Sequence, residues 1–149
     1  MIRISRKCEY ALKAVFELAA RNNDRPVKIH HIASAQNMPP RFLEVILNEL
    51  RHAGFVHSRR GNAGGYMLAR PAEKLTVKQI IEHIDGPIAA PAKNALQPGQ
   101  SYFYGDNAFS MLWTNVADAV AAICHDTTIA ELIEREKQSR ADAVLDYII

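Results

Sequence analysis

The stretch Met38-Pro39-Pro40-Arg41-Phe42-Leu43-Glu44-Val45-Ile46-Leu47-Asn48-Glu49-Leu50-Arg51-His52-Ala53-Gly54-Phe55-Val56-His57-Ser58-Arg59-Arg60-Gly61-Asn62-Ala63-Gly64-Gly65-Tyr66-Met67-Leu68 decides the fold. Prolines suit a helix start, where their fixed φ helps and the missing N–H is not needed. From Arg41 to Ala53, the residues Leu43, Ile46, Leu47, Leu50 and Ala53 recur at helical spacing and predict one buried face. Arg41, Glu44, Val45, Asn48 and His52 fall mostly on the opposite face, which is left for contact. Gly54 is placed to cap the helix. Phe55 to Ser58 and Tyr66 to Leu68 then read as two short strands around Arg59 to Gly65, a hairpin with a basic, glycine-rich tip.

Upstream, Ser5 precedes a segment, roughly 6 to 21, in which Ala11, Leu12, Val15, Leu18 and Ala19 form an amphipathic first helix. Asn22 to Pro26 is turn chemistry, Val27 to Ile29 a short extended run, and His30 to Gln36 a brief second helix. Downstream, Thr76 and Gln79 make a capping-box pattern for a helix through about Ile84, ended by Asp85-Gly86-Pro87. Residues 87–106 read as a flexible loop, rich in Pro, Ala, Gly and Asn. Phe109, Leu112, Trp113, Val116, Val120 and Ile123 mark a stripe on a helix of about 108 to 125 that is too apolar to face water on most sides. Thr128 and Glu131 suggest another capping box, for a charged final helix over 129 to about 143, and the chain closes on Tyr147-Ile148-Ile149.

The fold class is therefore mainly α with a small β-hairpin wing: a winged helix-turn-helix over residues 1–71, then a linker helix, the loop of about 87–106 and dimerisation helices over 72–149. A chain of 149 residues buries an adequate core without staples, and no run of eighteen apolar residues suggests a membrane span. Without a signal segment, cytoplasmic residence is expected. Two distant cysteines, Cys8 and Cys124, make neither a disulfide framework nor a zinc site, and no pair of the six histidines has metal-ligand spacing. The net charge of +2 conceals an asymmetry: residues 1 to 71 hold 12 Lys and Arg against 5 Asp and Glu, and residues 72 to 149 hold 6 against 11. A cationic half on a near-neutral chain suits a polyanionic partner.

Each element of that half has a task if the partner is double-stranded DNA. The third helix would enter the major groove with its N-terminal residues nearest the base edges, making Arg41, Phe42, Glu44 and Val45 the candidates for readout. Arginine pairs with guanine, glutamate accepts from cytosine, and an apolar side chain meets the thymine methyl. The wing, Arg59, Arg60, Gly61 and Asn62, would reach a narrow minor groove, where negative potential concentrates. Gly61 to Tyr66 is not a nucleotide-binding loop, since no Lys-Ser or Lys-Thr pair follows. No set of nucleophile, base and orienting group suggests an enzyme. A protein-interaction module, using the apolar long helix, is the alternative from a different class.

The residues also resemble a family. Ile4-Ser5-Arg6-Lys7, Tyr10-Ala11-Leu12, Phe42-Leu43-Glu44, Ala53-Gly54-Phe55-Val56, Arg60-Gly61 and Gly64-Gly65-Tyr66-Met67-Leu68, followed by Asp85-Gly86-Pro87-Ile88, Leu112-Trp113 and Thr127 to Leu132, are similar to the Rrf-type bacterial repressors that include IscR, NsrR and CymR. The resemblance implies a homodimer whose long helix crosses to its partner along the 109–123 stripe, two wings on a pseudo-palindromic operator, recognition by Phe42 and Glu44, and a minor-groove role for Arg60. Members that sense iron, nitric oxide or redox state carry three closely spaced cysteines before the long helix, whereas Pro87 to Asn107 contains none here. No cofactor is expected, and in this the chain looks more like the CymR branch, which implies control through a protein partner such as a cysteine-biosynthesis enzyme. Two further readings of Cys8 stand beside this. With Glu9, at a position that supplies an oxygen ligand in some members, it would belong to a variant iron–sulfur site; alternatively Arg6 and Lys7 would favour its thiolate as a redox sensor. Against both, free cysteine commonly serves as a small buried hydrophobe.

Overall fold

The computed structural model describes residues 4–21, 25–90, 101 and 103–148. The elements run α1 (Arg6–Arg21), α2 (Ile29–Ala35), α3 (Pro40–His52), β1 (Val56–Arg59), β2 (Gly65–Leu68), a 3₁₀ turn (Ala72–Lys74), α4 (Val77–Ile84), α5 (Asp106–Asp126) and α6 (Ile129–Ile148). This is a winged helix-turn-helix followed by two long helices. Most of the 87–106 loop, namely 91–100 and 102, lies outside the described residues, as does Ile149.

The core forms where apolar stripes of α1 and α3 meet. Ala11, Ala14 and Val15 of α1 are fully buried, and so are Leu43, Ile46, Leu47 and Leu50 of α3 and Ile32 of α2. Each large side chain among these contributes about 1.5–3 kcal/mol by leaving water. The turn between α2 and α3 is tight: Asn37 takes φ 50°, Met38 N–H donates to the Ala33 carbonyl, and Pro40 sits in the first turn of α3. Asparagine tolerates this left-handed backbone better than most side chains. A side-chain bond from Gln36 Nε2 to Glu17 Oε2 (2.9 Å) ties the end of α2 to α1.

The wing is a two-stranded antiparallel hairpin with Val56 opposite Leu68 and Arg59 opposite Gly65. It has a third member. Val27 and Tyr66 exchange two backbone hydrogen bonds of 2.8 Å, so the short extended run before α2 borders the hairpin. β1 lies one residue later than Phe55–Ser58, because the ladder continues to the Arg59–Gly65 pair.

The C-terminal helices join this unit through a small backbone bridge. Val77 N–H donates to the Thr127 carbonyl and Ile129 N–H to that of Leu75, with Leu75 and Ile129 fully buried beside each other in the same core. The Thr76 capping box closes as expected, its hydroxyl accepting from Gln79 N–H while the Gln79 side chain accepts from Thr76 N–H. Both long helices exceed the expected bounds, most clearly α6. Its charged stretch is laced by the Glu131–Arg135 and Glu136–Arg140 pairs and the Gln138–Asp142 bond, which favour continued helix.

Gly65 provides a test of the wing. Its φ is +152°, and a Cβ there would lie 2.4 Å from the Val27 carbonyl oxygen. Gly65→Ala is expected to cost about 1–3 kcal/mol through backbone displacement, read as a lower urea midpoint. An unchanged midpoint would show that the Val27–Tyr66 bridge is dispensable.

Candidate nucleic-acid interface

The burial of one face of α3 dictates what its other face can do. With Leu43, Ile46, Leu47 and Leu50 sealed inside, Arg41, Phe42, Glu44 and Val45 point outward from the first two turns. Arg41 and Glu44 have no ion-pair partner among the described residues, so donor and acceptor are both available to a ligand. The first turn of α3 contains no acidic residue to offset the positive end of the helix dipole. Glu49, further along, is neutralised instead by Lys7 of α1 at 2.6 Å.

Phe42 is only partly free. Its ring meets Tyr10 edge-on, with centroids 5.6 Å apart, and 38% of the residue is exposed, against 57% for Val45. Tyr10 therefore holds the Phe42 ring in place from α1, a supporting role that helical spacing alone does not reveal. Preorganisation of this kind lowers the entropy lost when an apolar side chain meets a base methyl group.

On the wing, Arg59, Arg60, Gly61 and Asn62 are all exposed, and neither arginine has an ion-pair partner among the described residues. The turn is set by backbone geometry. Gly61 has φ +105° and accepts a 2.9 Å bond from Gly64 N–H, while a Cβ on Gly64 would fall 2.2 Å from the Arg59 carbonyl oxygen. Glycine is thus required at 64 on steric grounds, whereas the tip side chains meet no such limit. Two unpaired guanidinium groups on a narrow, projecting loop suit insertion between phosphate-lined walls.

The sequence matches the Rrf2 family, described as an iron-dependent transcriptional regulator, over residues 4–135. The chain belongs to the Rrf2 family. An HTH-type transcriptional regulator of Mycobacterium tuberculosis is 35% identical over 132 residues, covering 88% of this chain and 81% of that one. The structure of CymR, the global cysteine regulator of B. subtilis, superposes with a TM-score of 0.77 at 32% identity, covering 91% of this chain and 98% of that one. T. potens IscR gives 0.75 at 26% identity, over 93% and 90%. This Rrf2 chain is accordingly a DNA-binding transcriptional regulator with a winged-helix fold.

The iron named in the Rrf2 description finds a poor donor set here. Among the described residues no three His, Cys, Asp or Glu side chains cluster as metal ligands. Cys8 and Glu9 do not converge: Cys8 is fully buried, while Glu9 is exposed and accepts a 2.7 Å bond from Lys13 Nζ that, with the lysine charge, holds its carboxyl below the usual range. Neighbours on a helix diverge by about 100°. Cys8 is thus the small buried residue that free cysteine commonly is, and not the thiolate that Arg6 and Lys7 would favour. Burial first, then the charge of Asp85 and a hydrogen bond to it, push Cys8 up to about 12. Cys124 is raised too, by burial. This pair of protonated, separated thiols does not fit an iron–sulfur cluster.

Asp85 has a structural task that its place after the helix did not disclose. Its carboxylate accepts from both Ser5 N–H (2.8 Å) and the Ser5 hydroxyl, and the same hydroxyl caps α1 by accepting from Cys8 N–H at 3.0 Å. The clamp pins the start of α1 to the end of α4.

Raising the folded-state pKa of Cys8 means that its thiolate is scarce in the native protein until the pH nears 12. In the Cys124→Ser background, Cys8 should therefore alkylate at pH 8 at least about tenfold more slowly than in the urea-unfolded chain. Equal rates, followed by mass spectrometry, would return Cys8 to the list of sensor thiols.

Proposed function

We propose that this Rrf2 regulator is a cytoplasmic homodimeric repressor that occupies a pseudo-palindromic operator and works without an iron–sulfur cluster. The observation that carries the reading is α3 itself: one face fully buried, and a free N-terminal face bearing Arg41, Phe42, Glu44 and Val45. The fixed inner face would set how the helix docks in the major groove. Arg41 and Glu44 would then read polar base edges, Phe42 and Val45 the thymine methyls, and Arg59 and Arg60 the adjoining minor groove. Repression would follow from occlusion of a promoter.

The dimer reading rests on α5. Of its 21 residues only Ala117 is buried, and Phe109, Leu112, Trp113, Val116 and Ile123 are exposed, with Val120 half-buried. Met111, at 67% exposure, is a further exposed apolar residue, on the other side of the helix from this stripe. One protomer leaves this surface to water, an unfavourable arrangement that a second copy would relieve through a self-complementary contact. A two-fold dimer would present two α3 helices to half-sites about one DNA turn apart. The absence of cysteine from Pro87 to Asn107, together with the unsuitable Cys8 environment, supports operation without a cluster.

Selection from fragmented genomic DNA at about 150 mM salt tests the main reading, since salt at that level suppresses purely electrostatic binding. One enriched two-fold-symmetric sequence is expected; retention of fragments without sequence preference would contradict a repressor. On the selected site, Arg60→Ala should weaken binding by about 5- to 100-fold and reduce the salt dependence by about one phosphate contact. Trp113→Asp should shift sedimentation from dimer to monomer by placing a charge in the apolar seam. A fully dimeric variant would rule out this seam.

A further inference from the structure

Away from the DNA-reading surface, a cleft of about 750 Å³ opens between the base of the wing and α6. Its apolar lining includes Leu18 and Ala19 of α1, Val27, Leu68 of β2 and Ile133 of α6, with Tyr66 beside them. The volume lies within the range of small-molecule sites. Three charged side chains on its walls lack ion-pair partners among the described residues: Arg25, Arg70 and Glu73. The remaining charges are already matched, Glu131 with Arg135 and Glu134 with Lys137.

The geometry points to a binding site for a zwitterionic small molecule, of amino-acid or dipeptide size, with an apolar side chain. Arg70, at the rim of the cleft, has its guanidinium 5.4 Å from the centroid of the Phe55 ring, a contact outside the cleft lining that limits the freedom of its side chain. A carboxylate would be taken by Arg70, assisted by Arg25, and an ammonium group by Glu73. The apolar lining would receive the side chain. A simple anion would leave Glu73 as a repulsive neighbour, and a simple cation would meet two arginines. A ligand carrying both charges satisfies all three groups.

The site borders the part of the molecule that handles DNA. Tyr66, Met67 and Leu68 line the cleft and form β2 of the wing, while Glu73 and Ile133 lie across from them on the 3₁₀ turn and α6. A ligand spanning the cleft favours one placement of the wing relative to the C-terminal helices, and so changes operator affinity through its unequal affinity for wing placements. This regulatory half rests on the operator-binding reading above; the binding half does not.

Calorimetry on the full chain without DNA separates the two. The probes are leucine, methionine, phenylalanine and leucyl-leucine, each compared with its N-acetyl and C-terminal amide forms. At least one free zwitterion should bind, and capping either end should weaken it by about tenfold or more, as expected for a lost charge-assisted bond. Glu73→Gln should erase the preference for a free amine and Arg70→Gln that for a free carboxylate, with unchanged melting temperatures showing that both variants fold. No heat from any probe at about 10 mM, a weaker limit than small-molecule effectors need, would overturn the site. Capped and free forms binding alike would overturn the zwitterion assignment. For a binding probe, polarisation of labelled operator should then show at least a threefold change in affinity at saturation. Unchanged affinity for an operator that the free protein does bind would overturn the regulatory half alone.

Discussion

The outward face of α3 is set by the removal of four side chains from water. Leu43, Ile46, Leu47 and Leu50 are spaced so that one face of α3 fits against α1 and α2, with no exposure left. Rotating the helix by one residue would bring Glu44 toward the core and carry Leu43 toward solvent. Burying the unpaired carboxylate of Glu44 alone would cost several kcal/mol, roughly the scale of the whole stability of such a domain. The orientation of the outer face is thus set from behind, by packing.

The same logic runs outward from the core through successively weaker contacts. Tyr10 transmits the position of α1 to Phe42 by an edge-on ring contact, and Lys7 anchors α1 to α3 through Glu49. The Ser5–Asp85 clamp fixes the first turn of α1 to the last residue after α4, at the point where the chain leaves for its long loop. The backbone bridge at Leu75, Val77, Thr127 and Ile129 then holds α6 to the N-terminal unit. α5 stands apart in this scheme: it packs on α4 and turns most of its apolar surface outward.

Much of this was legible in the residues because periodicity and turn chemistry are local. The α3 stripe, the Thr76 capping box, the stop at Asp85-Gly86-Pro87 and the hairpin tip each rest on side chains within a few positions of one another. The elements that escaped notice are contacts between distant segments. Val27 pairs with Tyr66 across 39 residues, Ser5 with Asp85 across 80, and Tyr10 supports Phe42 from another helix. Cys8 is buried, as free cysteine commonly is, and its thiolate reading fails for the same reason. Its sequence neighbours Arg6 and Lys7 suggested a thiolate, whereas burial and a carboxylate 77 positions away determine its state.

The wing tip divides its residues into two kinds. Gly64 and Gly65 are held to glycine by carbonyl oxygens closer than any Cβ could approach, and their conformation keeps the hairpin in shape whatever stands between the strands. Arg59, Arg60, Asn62 and Ala63 carry side chains into open solvent and take almost no part in holding the loop. Mutation can therefore exchange the latter at little expense to folding, whereas the former leave no room for a Cβ. If the wing meets DNA as proposed, a lineage built on this scaffold could change the DNA it prefers by single substitutions, and evolve new regulatory targets without first passing through an unstable protein.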